Sequence, residues 1–322
     1  MKKTSFNILV GLTLILGLVS SCGGSKPKSS RTDTYSTGSI QVAMDESFSP
    51  LIEEEIDVYE AMNPAAQITP LYTNELDAIN LLKTDSVWVA IAARNYRPDE
   101  LENLKARRMV PISFPIAYDG LALIVNKENT DTCISVKDFS SILSGKATKW
   151  SDIYADSKLG EIDVVFDNKN SSTVHYCVDS ILGGKPINCP NISAVKKSEE
   201  VINYVEKHKN SIGIIGSNWL NDKRDTTNLT FKKNITVMQV SKLDKATPMN
   251  SRKPFQYYFL TGEYPLVRTI YVLLNDPHRG LPTGFGNFIS SPRGQMIVLK
   301  TGLLPYRGEL NIRTVNVSDG NE

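Results

Sequence analysis

Apolar and polar positions along this chain switch repeatedly between a period near two and a period near 3.6. "SIQVAM" (39–44) reads as a strand, and "SPLIEEEIDVYEAMN" (49–63) as a helix with Ile52, Ile56, Tyr59 and Met62 on or near one face. "AQITPLY" returns to strand, "NELDAINLLKTD" (74–85) carries helical spacing through Leu76, Ile79 and Leu82, and "VWVAIAA" (87–93) is a nearly continuous apolar strand. That alternation predicts an α/β fold with a mostly parallel sheet covered on both faces. A second series follows: strand "GLALIVN" (120–126), a helix at "VKDFSSILSG", strand "IDVVF", a helix after Ser172, a helix at 199–208 and strand "SIGIIG". Beyond "QYYFLTG" the pattern predicts helices near 265–274 and 284–299.

The junctions between these elements share a chemistry. In "DESFSP", Ser47 and Ser49 precede Pro50, which suits the first position of a helix because its missing N–H would be unpaired there anyway. Thr73 and Asn74 sit between a strand and a helix in "LYTNEL", and "VVFDNKNSSTVHY" (164–176) repeats the arrangement with Ser171, Ser172 and Thr173. Each junction taken singly is an ordinary helix cap. Three of them at strand ends, each with free N–H groups and added hydroxyl or amide donors, suggest convergence on one anion.

The N-terminus sets the compartment. Lys2 and Lys3 precede an apolar run of about a dozen residues, too short to span a bilayer and right for a signal-peptide core. "LVSSC" then resembles a bacterial lipobox, which makes residues 1–21 a lipoprotein signal peptide, Cys22 the lipidated N-terminus and residues 22–37 a Gly, Ser, Lys and Pro tether. Losing Lys2 and Lys3 from 36 basic residues set against 35 acidic ones takes the net charge from +1 to −1. Such a balance invites neither nucleic acid nor an anionic surface. A mature chain of this length exceeds the usual single-domain size, so two lobes are expected. Cys177 and Cys189 are close enough in sequence to bridge a short loop, while three histidines and no CxxC pair argue against a metal site.

Four segments resemble, in order, the substrate-binding lipoprotein of the phosphate ABC transporter. They are "AYDGLALIVNKEN" (117–129), "FSSILSGKATKWSDI" (139–153), "NSIGIIG" (210–216) and "GFGNFISSPRGQMIVLKTGLLPY" (284–306). The resemblance implies a type II periplasmic binding protein, two α/β lobes joined by two crossover segments, with lobe 1 at 38–118 and 251–322 and lobe 2 at 119–250. It implies inorganic phosphate as ligand, permease subunits as partners, a membrane tie through the lipid anchor alone, a monomer, no cofactor and no catalysis. Matched residue by residue, "SFSP" makes Ser47 and the N–H of Phe48 phosphate contacts, "YTNE" adds Thr73 and Asn74, and "NSST" adds Ser171, Ser172 and Thr173.

Two positions depart from the family pattern. Arg94 stands where an Asp accepts the phosphate proton, and Asp167 stands where an Arg precedes the serine loop, so the charges are exchanged. Arg94 is expected to grip the anion bidentately with Asp167 orienting it. Asp45, Glu46, Glu75 and Asp119 are candidates for the proton acceptor. Enzyme readings find less support: "SGKAT" lacks the P-loop's first glycine and its Ser/Thr, and neither GxSxG nor HExxH occurs. An extracytoplasmic phosphate-ester hydrolase, or a cell-surface interaction lipoprotein that keeps the fold without the ligand, remain the alternatives.

Overall fold

The structure is a computed structural model, and it describes residues 31–221 and 231–308. The signal peptide, the lipobox with Cys22 and the first part of the tether lie outside the described residues. The fold is a ten-stranded mixed sheet in the order β2-β1-β3-β12-β4-β8-β6-β7, with β13 (Leu304–Pro305) and β9 added to β4, and a small sheet of β11 (Ser251–Arg252), β10 (Gln239–Ser241) and β5 (Cys133–Ser135). Strands β1 (Gly38–Asp45), β2 (Ala66–Thr73) and β3 (Val89–Ala92) are parallel, as are β6 (Asp163–Phe166), β7 (Ile192–Ala194) and β8 (Ser211–Gly216). Between these groups the pairing turns antiparallel. The mostly parallel expectation therefore holds for the two flanks and fails at the centre.

The centre is β4 (Ile112–Asn126) and β12 (Val267–Leu274), which pair antiparallel from Val267 opposite Gly120 to Leu274 opposite Ile112. Beyond Gly120, β4 instead pairs with β8 and with β9 (Ile235–Val237), so one strand is shared by both halves of the sheet. Pro115, which has no N–H to give a ladder, sits where the register shifts, between Ile270 and Tyr271 of β12. Ile116 is the extra residue there, and its carbonyl accepts from Gln295 Nε2 at 3.0 Å and the Tyr306 N–H at 3.1 Å.

Two expected helices are corrected. Within 265–274, Val267–Leu274 form β12, where "VRTIYVLL" alternates half-buried and buried positions and is rich in β-branched residues that fit a pleated surface. The expected helix at 284–299 is two helices, Leu281–Ile289 and Pro292–Lys300, divided where Ser291 caps the second through the Gly294 N–H and Pro292 opens it.

Numbering the remaining helices in chain order, α1 spans Ser49–Met62, α2 Glu75–Lys83, α3 Pro98–Ala106, α4 Val136–Leu143, α5 Ser172–Tyr176 and α6 Ser198–Lys207. They cover both faces of the sheet. Met44, Phe48, Ile52, Ile56 and Phe285 make one core and Ala43, Ile79, Leu82, Leu104 and Leu273 another, around the first half. Phe139, Trp150, Val164, Ile212 and Met238 pack on one face of the second half, and Ile124, Val165, Val201 and Ile215 on the other. Trp150 is fully buried and donates from its indole to the Asn210 carbonyl at 2.9 Å. Cys177 and Cys189 enter this second core unbridged, against the disulfide expectation. Among the described residues no helix is long and apolar enough to cross a membrane.

Candidate functional site

The carboxyl ends of β1, β2 and β6 meet at the junction of the two halves, and three short turns there aim their N–H groups at one place. After β1, a turn of 3-10 helix (Glu46–Phe48) leads into α1; after β2, Asn74 caps α2; after β6, a loop ending at Ser171 caps α5. The point of convergence holds a carboxylate of the chain itself. Asp45 Oδ1 accepts the Ser47 N–H at 3.0 Å, while Oδ2 accepts the Ser172 N–H at 2.6 Å and the Glu75 N–H at 3.1 Å. Asp45, Ser47, Ser172 and Glu75 are all buried.

Beside this carboxylate lies Arg268, which sequence reasoning missed. The register of β12 on β4 sets it opposite Asp119. Its Nε and Nη2 lie 2.9 and 2.8 Å from Asp119 Oδ2, with side chains 1% and 0% exposed. The fork continues to the hydroxyls: Nη1 donates to Ser172 Oγ at 2.8 Å and Nη2 to Ser47 Oγ at 3.3 Å, and those two oxygens are 3.2 Å apart. The guanidinium lies 4.7 Å from the centre of the Phe48 ring, a cation–π contact that places Phe48 under the site through its side chain. Asp119 Oδ1 accepts the N–H and hydroxyl of Ser217, at 3.0 and 2.9 Å, so all of its lone-pair directions are used. Gly216 leaves the necessary space: a Cβ there would lie 3.0 Å from both Arg268 Nη2 and Asp119 Oδ2. The sequence signal was an Arg inside an apolar strand, because a charge buried in a sheet needs a partner and Asp119 stands alone in "AYDGLALIV".

The expected site residues go to different places. Ser47, Phe48 and Ser172 are brought together at the Arg268 fork. Asn74, Ser171 and Thr173 spend their side chains locally. Asn74 Oδ1 accepts the Asp77 N–H at 3.0 Å and its amide donates to Asp77 Oδ2 at 2.7 Å. Ser171 and Thr173 both donate to Asp167 Oδ1, at 2.7 and 2.5 Å. Thr73 is half-buried at the end of β2, in register with Asp45.

The exchanged charges do not meet. Arg94 forks onto Glu100, Nη1 to Oε2 at 2.8 Å and Nη2 to Oε1 at 2.9 Å, where Glu100 also caps α3 through the Arg97 N–H. Asp167 therefore orients a pair of hydroxyls rather than Arg94. Burial pushes the Asp167 carboxyl up and the negative charge of Asp45 adds to it, against the Ser171 and Thr173 hydrogen bonds and the charge of Arg268.

Further contacts bind the halves across this junction. Glu46 Oε2 accepts the N–H and hydroxyl of Ser198 at the start of α6, at 3.0 and 2.9 Å; burial raises its carboxyl to about 7 despite those bonds. Glu75 Oε2 lies 2.7 Å from His175 Nδ1 across the junction, while its Oε1 accepts the Ala93 N–H at 2.7 Å within the first half. The Ser47 carbonyl accepts from Asn218 Nδ2 and Trp219 Nε1, both at 3.0 Å. Chemically, the junction offers directed N–H donors, two hydroxyls and a buried guanidinium. Among the described residues no His, Cys, Asp and Glu cluster is able to hold a metal.

The model of the PBP superfamily domain matches residues 29–293. The chain belongs to the PBP superfamily. Among curated proteins, the phosphate-binding protein PstS of Staphylococcus aureus strain USA300 is 24% identical over 285 residues, spanning 86% of this chain and 79% of that one. A substrate-binding protein of a phosphate ABC transporter from Clostridium perfringens, solved with bound phosphate, superposes with a TM-score of 0.69 at 20% identity, over 84% of this chain and all of that one. An ABC-type phosphate transport receptor from Vibrio cholerae gives 0.62 at 19% identity, over 83% and 100%. The type II α/β fold expected from the sequence is thus the fold of this PBP-superfamily chain.

Proposed function

We propose that this chain is an extracytoplasmic receptor that binds inorganic phosphate at the β1, β2 and β6 junction and hands it to an ABC transporter permease, without catalysis. Residues 38–118 with 251–322 would form one lobe and 119–250 the other, closing on the anion; of these, 222–230 and 309–322 lie outside the described residues. Lipid on Cys22 would hold the receptor at the membrane. The observation that carries the reading is the Arg268 fork, which reaches Ser47 and Ser172 from opposite sides of the junction. Those are the groups an oxyanion would bridge, and the N–H donors already accommodate a carboxylate beside them. Because Arg94 is committed to Glu100, the gripping role passes to Arg268, with Phe48 beneath it and the 171–173 loop positioned by Asp167. The curated and solved relatives named for phosphate binding support the same ligand.

Asp119 pairs with Arg268, Asp45 shares Ser47 and Ser172 with it, and Asp167 feels the charges of both Asp45 and Arg268, so acids outnumber the one guanidinium at the junction. That excess of acid disfavours a fully ionised dianion and favours an oxyanion that brings its own proton, which at neutral pH separates phosphate from sulfate. Calorimetry of the purified chain with phosphate, sulfate and phosphate esters tests this. Phosphate is expected to bind at micromolar or tighter dissociation constants, about 8 kcal/mol, with sulfate much weaker. Equal binding of the two would remove the selectivity argument. Heat from none of them would favour the second reading, an interaction lipoprotein that kept the fold, which the carboxylate already seated among the donors also supports.

A further inference from the structure

We propose that Asp45 is an internal competitor for the oxyanion: its carboxylate holds the junction shut, and ligand binds by displacing it. The inference rests on the oxyanion reading above and adds a regulating residue to that site. Helix capping accounts for only half of what Asp45 does. Its Oδ1 bond to the Ser47 N–H, two residues on, is an ordinary cap. Its Oδ2 takes N–H groups from residues 30 and 127 positions away, at the first residues of α2 and α5. One carboxylate thereby ties together three elements drawn from both halves of the sheet, and uses the donors that a tetrahedral anion would use.

Two consequences follow from that geometry. Seated Asp45 places a negative charge on the donors, so an incoming anion meets both a spent donor set and a like charge. Only the fraction of molecules with Asp45 swung away is competent, and the apparent affinity is reduced by that fraction. The same bonds substitute for a ligand in closing the junction, helped by the Ser47–Ser172 and Glu46–Ser198 contacts. Such a receptor trades affinity for a higher concentration threshold and for faster release.

The test is Asp45→Ala, with Asp45→Asn as a near-isosteric second variant in which an amide N–H₂ replaces one acceptor. Phosphate affinity by calorimetry should rise by about tenfold or more in Asp45→Ala, as expected if the competent fraction in the parent is about one in ten or less, and should move the same way in Asp45→Asn. Small-angle scattering without added oxyanion should show a larger radius of gyration in Asp45→Ala than in the parent, falling when phosphate is added. Unchanged or weaker phosphate binding in both variants would overturn the inference, since Asp45 would then be a bystander or a ligand contact. If parent and variants alike bind no oxyanion, the phosphate reading itself fails. Scattering then decides alone: an expanded Asp45→Ala supports internal closure and an unchanged radius overturns it.

Discussion

Replacing Arg268 by Met should separate the stability of this junction from its ligand chemistry. The substitution keeps an unbranched apolar stem on β12 and removes the guanidinium, leaving Asp119 fully buried with Ser217 as its remaining donor. Breaking a buried pair by removing one partner costs about 3–5 kcal/mol, because an uncompensated charge stays behind. The hydroxyls of Ser47 and Ser172 add little to this, since at 3.2 Å they can bond each other. Removing both charges in Arg268→Met with Asp119→Asn should recover most of the loss, because the Asn carbonyl oxygen can still accept from Ser217. Urea unfolding of the parent, both single variants and the double variant gives the coupling, expected at about 2–4 kcal/mol. Phosphate calorimetry on the same four proteins should behave differently. Affinity falls by about 1.5–3 kcal/mol whenever Arg268 is absent, and the double variant does not regain it. A single variant as stable as the parent would refute the buried-charge argument, and a double variant that binds normally would remove Arg268 from the site.

Glu55 is buried in α1 with neither carboxylate oxygen hydrogen-bonded among the described residues, and burial raises it to about 9 from an ordinary 4.5. The folded state thus holds a proton the unfolded state releases, so stability falls as pH rises from about 4.5 to about 9, by about 3 kcal/mol at pH 7; Glu55→Gln should flatten that slope, and equal pH slopes for the two proteins in urea titrations would contradict it. Thr173→Val removes a donor to Asp167 and should lower stability by about 1–2 kcal/mol while changing phosphate affinity less than Ser172→Ala does; the reverse ranking by calorimetry would put Thr173 on the ligand. For Arg94→Ala and Asp167→Asn, which share no partner in the structure, losses should be additive in a double-mutant cycle, and coupling above about 0.5 kcal/mol would bring the two back into one site.

What the sequence made legible was local. The apolar spacing of "SPLIEEEIDVYEAM" and "VKDFSSIL" predicted helices because one face of each is buried, and Ser, Asn and Pro marked where they start. The apolar residues of 265–274 fall at either period, so the sequence predicts a helix there, and only the place of "VRTIYVLL" between β3 and β4 makes it a strand. The same error hid Arg268, since a lone arginine on a helix is an ordinary solvated residue, whereas on a central strand it demands a buried acid. Likewise Arg94 and Asp167 looked complementary by position in a matched pattern, yet Glu100 is six residues from Arg94 on the next helix and reaches it first.

Capping a helix and holding an anion use the same atoms, which is why "NSST" and "YTNE" could not be assigned from sequence. The distinction lies in whether the donors are already spent. Asn74 and Ser171 accept from the third residue beyond them, and Ser171 and Thr173 donate to Asp167, so these side chains are committed within their own turns. Ser47 and Ser172 lack such a local acceptor among the described contacts and face each other across the junction under Arg268. Backbone N–H groups divide the same way: those of Glu75 and Ser172 point away from their own caps to Asp45, which the Ser47 N–H reaches as an ordinary cap. A carboxylate seated among them shows that the donors are placed to hold negative charge, and it also sets the terms on which any other anion can enter. Affinity in such a site is governed less by how many donors converge than by how readily Asp45 gives them up.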